Sequence, residues 1–180
     1  MNRVCGDCQL CCKLLPIDAL SKPANKRCRY QKIRTGCTIY STRPAECRVW
    51  SCQWLKNPET NALKRPDRAH YVIDPIPDYV RFPQIDGSDD VVIPVLQIWI
   101  DPGFPDAHRD PSLRAFLAQV ARRDGMAALI RFDERTAITL LAPFLHNGPD
   151  WIEITGEREA MHSVADIFHK LQEHSKQWAR

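Results

Sequence analysis

Apolar and polar positions divide this chain into two dissimilar parts, periodic from about residue 69 onward and aperiodic before it. Residues 91–100 are an almost unbroken β-branched and apolar run, which predicts a central strand, with Pro94 marking a bulge or an edge. Shorter runs at 70–74 and 79–82 predict two strands separated by a proline turn. Asp110-Pro111-Ser112 predicts a helix start. Leu113, Phe116, Leu117 and Val120 then recur at helical spacing until Gly125 ends the helix. Residues 126–132 and 136–142 flank Asp133-Glu134-Arg135 in the manner of a β-hairpin. Residues 151–155 suit a last strand. Residues 158–174 suit an amphipathic helix with Met161, Val164, Ile167, Phe168 and Leu171 on one face.

The first third lacks such order. Residues 1–12 read as a ligand loop, and residues 13–36 are basic and irregular. Cys37 to Tyr40 is a short strand-like piece, and Pro44 suits the first turn of a helix carrying Cys47. Residues 55–68 read as a connecting loop. The expected fold is therefore α+β. A cysteine-rich, metal-organised N-terminal lobe (residues 1–68) packs on a small α+β unit with a mainly antiparallel sheet (residues 69–180), the two forming one compact body.

Composition refines this picture. Hydrophobic residues make up 44% of the 180 positions, enough to build a core and to argue against global disorder. No apolar run approaches the ~20 residues that span a bilayer, and Met1 to Cys5 holds no hydrophobic signal segment. The expected location is the cytoplasm, with no membrane partner. Charge is segregated. Residues 1–68 hold 14 Lys/Arg against 5 Asp/Glu, a net +9, whereas residues 69–180 hold 11 against 17, a net −6. A basic lobe can mean nucleic acid. Thiolate ligation explains it better, because the negative charge of a thiolate site calls for nearby cations. Arg27, Arg29, Arg34, Arg43 and Arg48 lie beside or between cysteines. Aromatic residues do not alternate with the basic ones as nucleic-acid modules require, so a nucleic-acid partner is possible but not favoured.

All eight cysteines, Cys5, Cys8, Cys11, Cys12, Cys28, Cys37, Cys47 and Cys52, precede residue 53. Thiols that were merely small buried hydrophobes would scatter along the chain. A disulfide framework needs an oxidising compartment, which nothing in the sequence signals. In a reducing compartment the same density points to metal. Two-residue gaps in Cys5-x-x-Cys8-x-x-Cys11 let a tight loop aim successive sulfurs at one centre, as in zinc sites or cubane clusters. Adjacent side chains diverge, so Cys11 and Cys12 rarely serve one tetrahedral ion. Eight thiols suit two four-cysteine sites, or one site with additional thiols.

The opening Cys5-x-x-Cys8-x-x-Cys11-Cys12, the lone Cys28, and Gly36-Cys37-x-x-Tyr40-x-x-Arg43-Pro44-x-x-Cys47-Arg48-x-Trp50-x-Cys52 resemble the CxxCxxCC family, also called YkgJ-type cysteine-cluster proteins. The family is described as a zinc- or iron-chelating domain, and the resemblance covers residues 5–54. It implies that all eight cysteines are metal-ligand candidates. A related cysteine module in flagellin lysine methylases implies iron–sulfur chemistry, but only the cysteines match that enzyme. The Cys5–Cys11 run also resembles the three-ligand ferredoxin loop. A fourth ligand would come from Cys12, Cys28, Cys37, Cys47 or Cys52, since no cysteine here precedes a proline.

Other candidates are weaker. His162, Asp166 and His169 share one helical face, which reads as a solvated surface. Asp101, Asp106, His108 and Asp110 form a polar loop at a strand end, a place where active sites occur. His70 opens a strand and reads as structural, with completion of a metal site as the other role. Tyr40, Trp50 and Trp54 read as core aromatics, with shielding of a cluster as the other role. Arg43 and Arg48 are either surface charges or donors to thiolate sulfur. No phosphate loop, nucleophile elbow or HExxH motif is present. Three functions follow: a metal-binding protein chelating zinc or iron, including an Fe–S cluster, through the cysteines; an Fe–S-dependent oxidoreductase or modifying enzyme; or a zinc-stabilised module binding nucleic acid or protein.

Overall fold

The computed structural model describes residues 3–33, 35–82 and 89–155. Helices accompany a mixed five-stranded sheet and a small antiparallel pair, an α+β arrangement. The strands of the large sheet run in sequence order: β3 (Tyr71–Phe82), β4 (Val91–Ile100), β5 (Ala127–Arg131), β6 (Ala137–Leu141) and β7 (Ile152–Ile154). The small pair is β1 (Gln31–Lys32) against β2 (Gly36–Cys37), with Gln31 opposite Cys37. The chain clusters into two compact units. One holds the residues up to Ile76 with Gln97–Phe116 and Ile130–Ala137. The other holds Pro77–Leu96, Leu117–Leu129 and the described residues from Ile138 on. No helix among the described residues is long and apolar enough to cross a membrane.

Much of the described periodic part folds as its pattern predicts. β4 spans residues 91–100, and β3 and β5 flank it, so Pro94 does not mark a sheet edge; its ring is exposed. Helix α5 (Pro111–Asp124) starts where Asp110 Oδ1 accepts the Ser112 and Leu113 N–H groups at 2.8 and 3.3 Å, an N-cap followed by proline. It ends at Gly125, whose φ of +66° is left-handed. Leu113, Phe116, Leu117, Val120 and Ala121 are its buried face. The β5–β6 turn closes on Asp133, whose Oδ1 accepts from the N–H of Arg135 and Thr136 at 2.7 and 2.6 Å.

Two runs expected to be separate strands are instead one strand, β3, which passes through Pro75 and Pro77 without a break. The reason lies in sheet position. β3 ends the strand order of the sheet, with β4 as its neighbour, so one of its sides is open. An edge strand needs no N–H there.

The first third holds more regular structure than its pattern suggests. Cys11 and Cys12 lie on helix α1 (Leu10–Leu14) rather than in a loop. Cys47 lies on α2 (Ala45–Val49), with Pro44 at its N-cap. Of the strand-like piece expected from Cys37 to Tyr40, only Cys37 lies in a strand, β2, and Tyr40 begins a 3-10 turn. The expected loop at 55–68 holds a 3-10 turn, Pro58–Ala62. Helix α3 (Gln53–Lys56) and helix α4 (Pro66–Ala69) lie on either side of it. These elements are four or five residues long, too short for hydrophobic periodicity to register. Their core is shared with the sheet: Cys8, Leu10, Leu14 and Ala24 bury against Val72 and Trp99, with Cys11, Leu15 and Trp50 packed alongside. The helix expected at 158–174, with His162, Asp166 and His169, lies outside the described residues.

Candidate metal centre

The eight thiols are free, and all lie in the first compact unit. A turn places the first two. Cys8 N donates to Cys5 O at 3.0 Å, and Cys5 Sγ donates back to Cys8 O at 3.2 Å. Gly6 permits the turn at φ +56°, and a Cβ there would stand 3.4 Å from Arg65 Nη1. Arg65 bonds Asp7 at 2.8 Å and Asp67 at 2.6 Å, so its guanidinium sits beside the Cys5–Cys8 turn. Arg3 reaches in the other direction. It donates to Trp54 O and to Thr60 O at 2.9 Å, and lies 4.6 Å over the Trp54 ring. The chain before Cys5 is thereby tied to the chain after Cys52.

On helix α1, Cys11 and Cys12 are successive, about 100° apart around the axis, and their side chains hydrogen-bond to each other. Cys28 N donates to Cys12 O at 3.1 Å, which seats Cys28 beside Cys12. Gln31 donates to Gln9 Oε1 at 2.7 Å and Gln9 donates to Lys32 O at 2.7 Å, so the β1–β2 pair carrying Cys37 is fastened beside the start of α1. Trp50 lies between Cys47 and Cys52. Its indole N–H donates to Asp74 Oδ1 at 3.0 Å, while Trp99 donates to Oδ2 at 3.2 Å. Asp74 is buried in β3, so this pair of indoles anchors the Cys47–Cys52 arm to the sheet.

Electrostatics separates the thiols. Burial raises Cys5, and the charges of Cys52 and Cys12 raise it further. Burial pushes Cys8 up to about 11. Cys11 is raised well above the ordinary thiol value, first by its hydrogen bond to Cys12, then by burial and by the charges of Cys12, Cys5 and Cys52. The same hydrogen bond lowers Cys12, to about 7, against its own burial and with help from Lys22. Burial raises Cys47, and so do the charges of Cys12, Cys28 and Cys37. Burial also raises Cys52, against the Leu55 and Trp54 N–H groups and the charge of Arg3.

Lys22 is the cation the sequence did not single out. It is only 7% exposed, and its ammonium donates to the carbonyls of Lys13 (3.1 Å), Leu15 and Pro23 (3.2 Å). The charges nearest it are the thiols of Cys28 and Cys12, then the Glu134 carboxylate, then the Cys11 thiol. Among the described residues no carboxylate stands within ion-pair distance of it. No hydrophobic or charge pattern marks such a lysine, because its burial comes from the turn at Ser21 (φ +49°) folding it back over α1.

Of the two arginines that the sequence left as surface charges or thiolate donors, Arg48 is exposed and Arg43 bonds carbonyls. Arg43 donates to Cys47 O at 3.1 Å and to Tyr40 O at 2.7 Å, and stacks 3.8 Å over Tyr40, which is 66% exposed and not a core residue. The acids of the polar loop have structural duties. Asp101 pairs with Lys13 at 2.6 Å, Asp110 caps α5, and Asp106 faces Arg109 at 3.4 Å. His70 is not a strand residue but the left-handed end of α4, stacked on Phe104.

The donors suit zinc or iron in kind, being all thiols, and a thiophilic ion takes four of them. Among the described residues, no group of three or more His, Cys, Asp or Glu is already drawn together tightly enough to hold an ion. Ligand convergence normally accompanies deprotonation around the cation. No family model matches the chain, nor does any curated protein or solved structure.

Proposed function

We propose that this protein chelates zinc or iron, as an ion or an iron–sulfur cluster, through Cys5, Cys8, Cys11, Cys12, Cys28, Cys37, Cys47 and Cys52, in a reducing compartment such as the cytoplasm. One observation carries the reading: eight free thiols lie in one compact unit, with Arg65 near Cys5, Arg3 near Cys52 and Lys22 near Cys28 and Cys12. A buried ammonium among carbonyls and thiols, with the Glu134 carboxylate also near it, is stabilised by a further anion close by. A thiolate-bound ion is such an anion. The resemblance of residues 5–54 to the CxxCxxCC family points the same way.

The residues that would hold the ion sit on short elements with little core of their own, so binding contributes to folding as well as to cargo. Structural zinc contributes about 10–16 kcal/mol in small thiolate modules. The test is a visible absorption spectrum of anaerobically purified protein, followed by circular dichroism on adding a strong chelator. Colour with stoichiometric iron assigns an iron centre, and a colourless zinc protein assigns zinc. In either case the chelator should loosen the N-terminal third. A metal-free protein whose dichroism ignores the chelator would sink the reading.

A further inference from the structure

We propose that the face carried by the Cys28–Gln31 turn, the β1–β2 pair and the Tyr40–Thr42 turn binds single-stranded nucleic acid, with its cations on the phosphates and its tyrosines against the bases. The proposal stands apart from the chelation reading and does not depend on it.

Charge supplies the first argument. Residues 19–45 hold seven Lys/Arg and no Asp or Glu. The thiols do not account for this charge, because the cations near them are Arg65, Arg3 and Lys22. Lys26, Arg27, Arg29 and Lys32 are exposed instead. Among the described residues, neither these four nor Arg43 pairs with a carboxylate. Like charges left without counter-charges repel one another. A phosphate backbone relieves that repulsion and gains further by releasing its own condensed counterions.

The aromatic rings choose among polyanions. Along the sequence the aromatic residues do not alternate with the basic ones, but folding lays an arginine over each of two tyrosines. Arg29 stands 5.1 Å over Tyr30, and Arg43 stands 3.8 Å over Tyr40. Arg43 is held there by its bonds to Tyr40 O at 2.7 Å and Cys47 O at 3.1 Å. Tyr40 remains 66% exposed, so its ring is stiffened without being buried. Such a ring is a stacking platform that accepts any base, and guanidinium planes stack on bases in the same way. The two platforms are neighbours. Gln31 stands opposite Cys37, and Thr38 N donates to Tyr30 O at 2.9 Å, so Tyr30 lies across from Thr38 and Tyr40 follows two residues later. Their Cα atoms are therefore within about 13 Å of each other. One short strand can reach both. A duplex hides its base faces in its own stack, and a lipid surface has none, so a single strand fits this face best.

The test is the fluorescence anisotropy of a short labelled oligothymidylate titrated with the full chain as purified. With the five cations on five phosphates, affinity should fall about a hundredfold between about 50 and about 200 mM salt. Tyr40→Ala should weaken binding about tenfold, the loss of one stacked base, while Tyr40→Phe should match the wild type. Lys32→Ser should weaken binding and flatten its salt dependence. Both side chains are exposed, and circular dichroism checks that each variant keeps its fold. The same strand annealed to its complement should bind more weakly than the strand alone. No binding at about 50 mM salt overturns the proposal. So does equal binding of strand and duplex with Tyr40→Ala unchanged, which would make the face a general polyanion surface. Binding to phosphatidylserine vesicles with none to the oligonucleotide overturns it too, and assigns the face to a membrane.

Discussion

Replacing Asp74 by Asn tests the anchor that holds the cysteine arm to the sheet. Oδ1 of Asp74 accepts from Trp50 Nε1 at 3.0 Å and from Ile76 N at 3.1 Å, while Oδ2 accepts from Trp99 Nε1 at 3.2 Å. Every one of these partners is a donor. An amide has only one acceptor oxygen, so whichever way it turns, its NH2 group faces an indole N–H. The variant loses a charge-assisted hydrogen bond and strands a buried donor, which together cost about 2–4 kcal/mol. With a urea dependence of about 2 kcal/mol/M, the unfolding midpoint should fall by about 1–2 M at unchanged slope. Tryptophan fluorescence is the natural probe, since both indoles report on the site. Trp50→Phe removes one donor and leaves Asp74 its other two, so it should cost about 1–2 kcal/mol. The double variant should cost less than the sum by at least about 0.5 kcal/mol, because both changes break the same bond. A midpoint shift under about 0.3 M for Asp74→Asn, or strict additivity, would refute the anchor.

Lys13→Met should cost about 1–3 kcal/mol, below the usual loss for a fully buried pair because Lys13 is 29% exposed. Burial alone would raise the Asp101 carboxyl, but Lys13 and the Gly103 N–H hold it below its ordinary value. The pair's contribution is thus complete above about pH 4 and fades as pH falls through the lowered value, so acidification should narrow the gap between variant and wild type in urea melts. In the reduced, metal-free chain, Cys12 should be alkylated first, with a rate midpoint near pH 7, and Cys8, raised to about 11, should lag; peptide mapping after brief iodoacetamide treatment reads the order. Because burial keeps most of the other thiols protonated near pH 7, zinc uptake should release roughly four protons per ion, and apparent affinity should rise with pH; calorimetry in two buffers of different ionisation enthalpy measures both. Gly36→Ala, at φ +110°, should destabilise the β1–β2 pair through backbone strain alone, since nothing lies within 4 Å of the added Cβ; Cys37 should then become more reactive.

The periodic part of the fold was legible because its elements are long enough for pattern to accumulate. The strand at 91–100, the capped helix after Asp110 and the Asp133 turn follow from local rules that the structure obeys. β3 was read as two strands because the prolines that interrupt its pattern are tolerated by its edge position, which is a property of the sheet rather than of the segment. The cysteines were legible as a set, from density and spacing. Their surroundings were not. Lys22 is buried by a left-handed turn at Ser21, Arg3 acts across fifty residues on Trp54, and Asp74 joins two tryptophans distant in sequence. Each of these depends on tertiary closure, and no local spacing encodes it. The arginines nearest the cysteines in sequence proved less informative than these distant cations, because proximity along the chain does not set the direction of a side chain.

The most direct test of the central claim is elemental analysis of the full chain purified without air, paired with a count of thiols reactive in the native state. Cys5 is exposed in the structure, so a small thiol reagent can reach it, slowed by its raised pKa, whereas a bound ion would block it outright. The account predicts stoichiometric zinc or iron, and thiols, Cys5 among them, that react only after the metal is withdrawn. A folded, metal-free protein whose Cys5 and Cys12 react at once, and which takes up neither metal when offered, would contradict it.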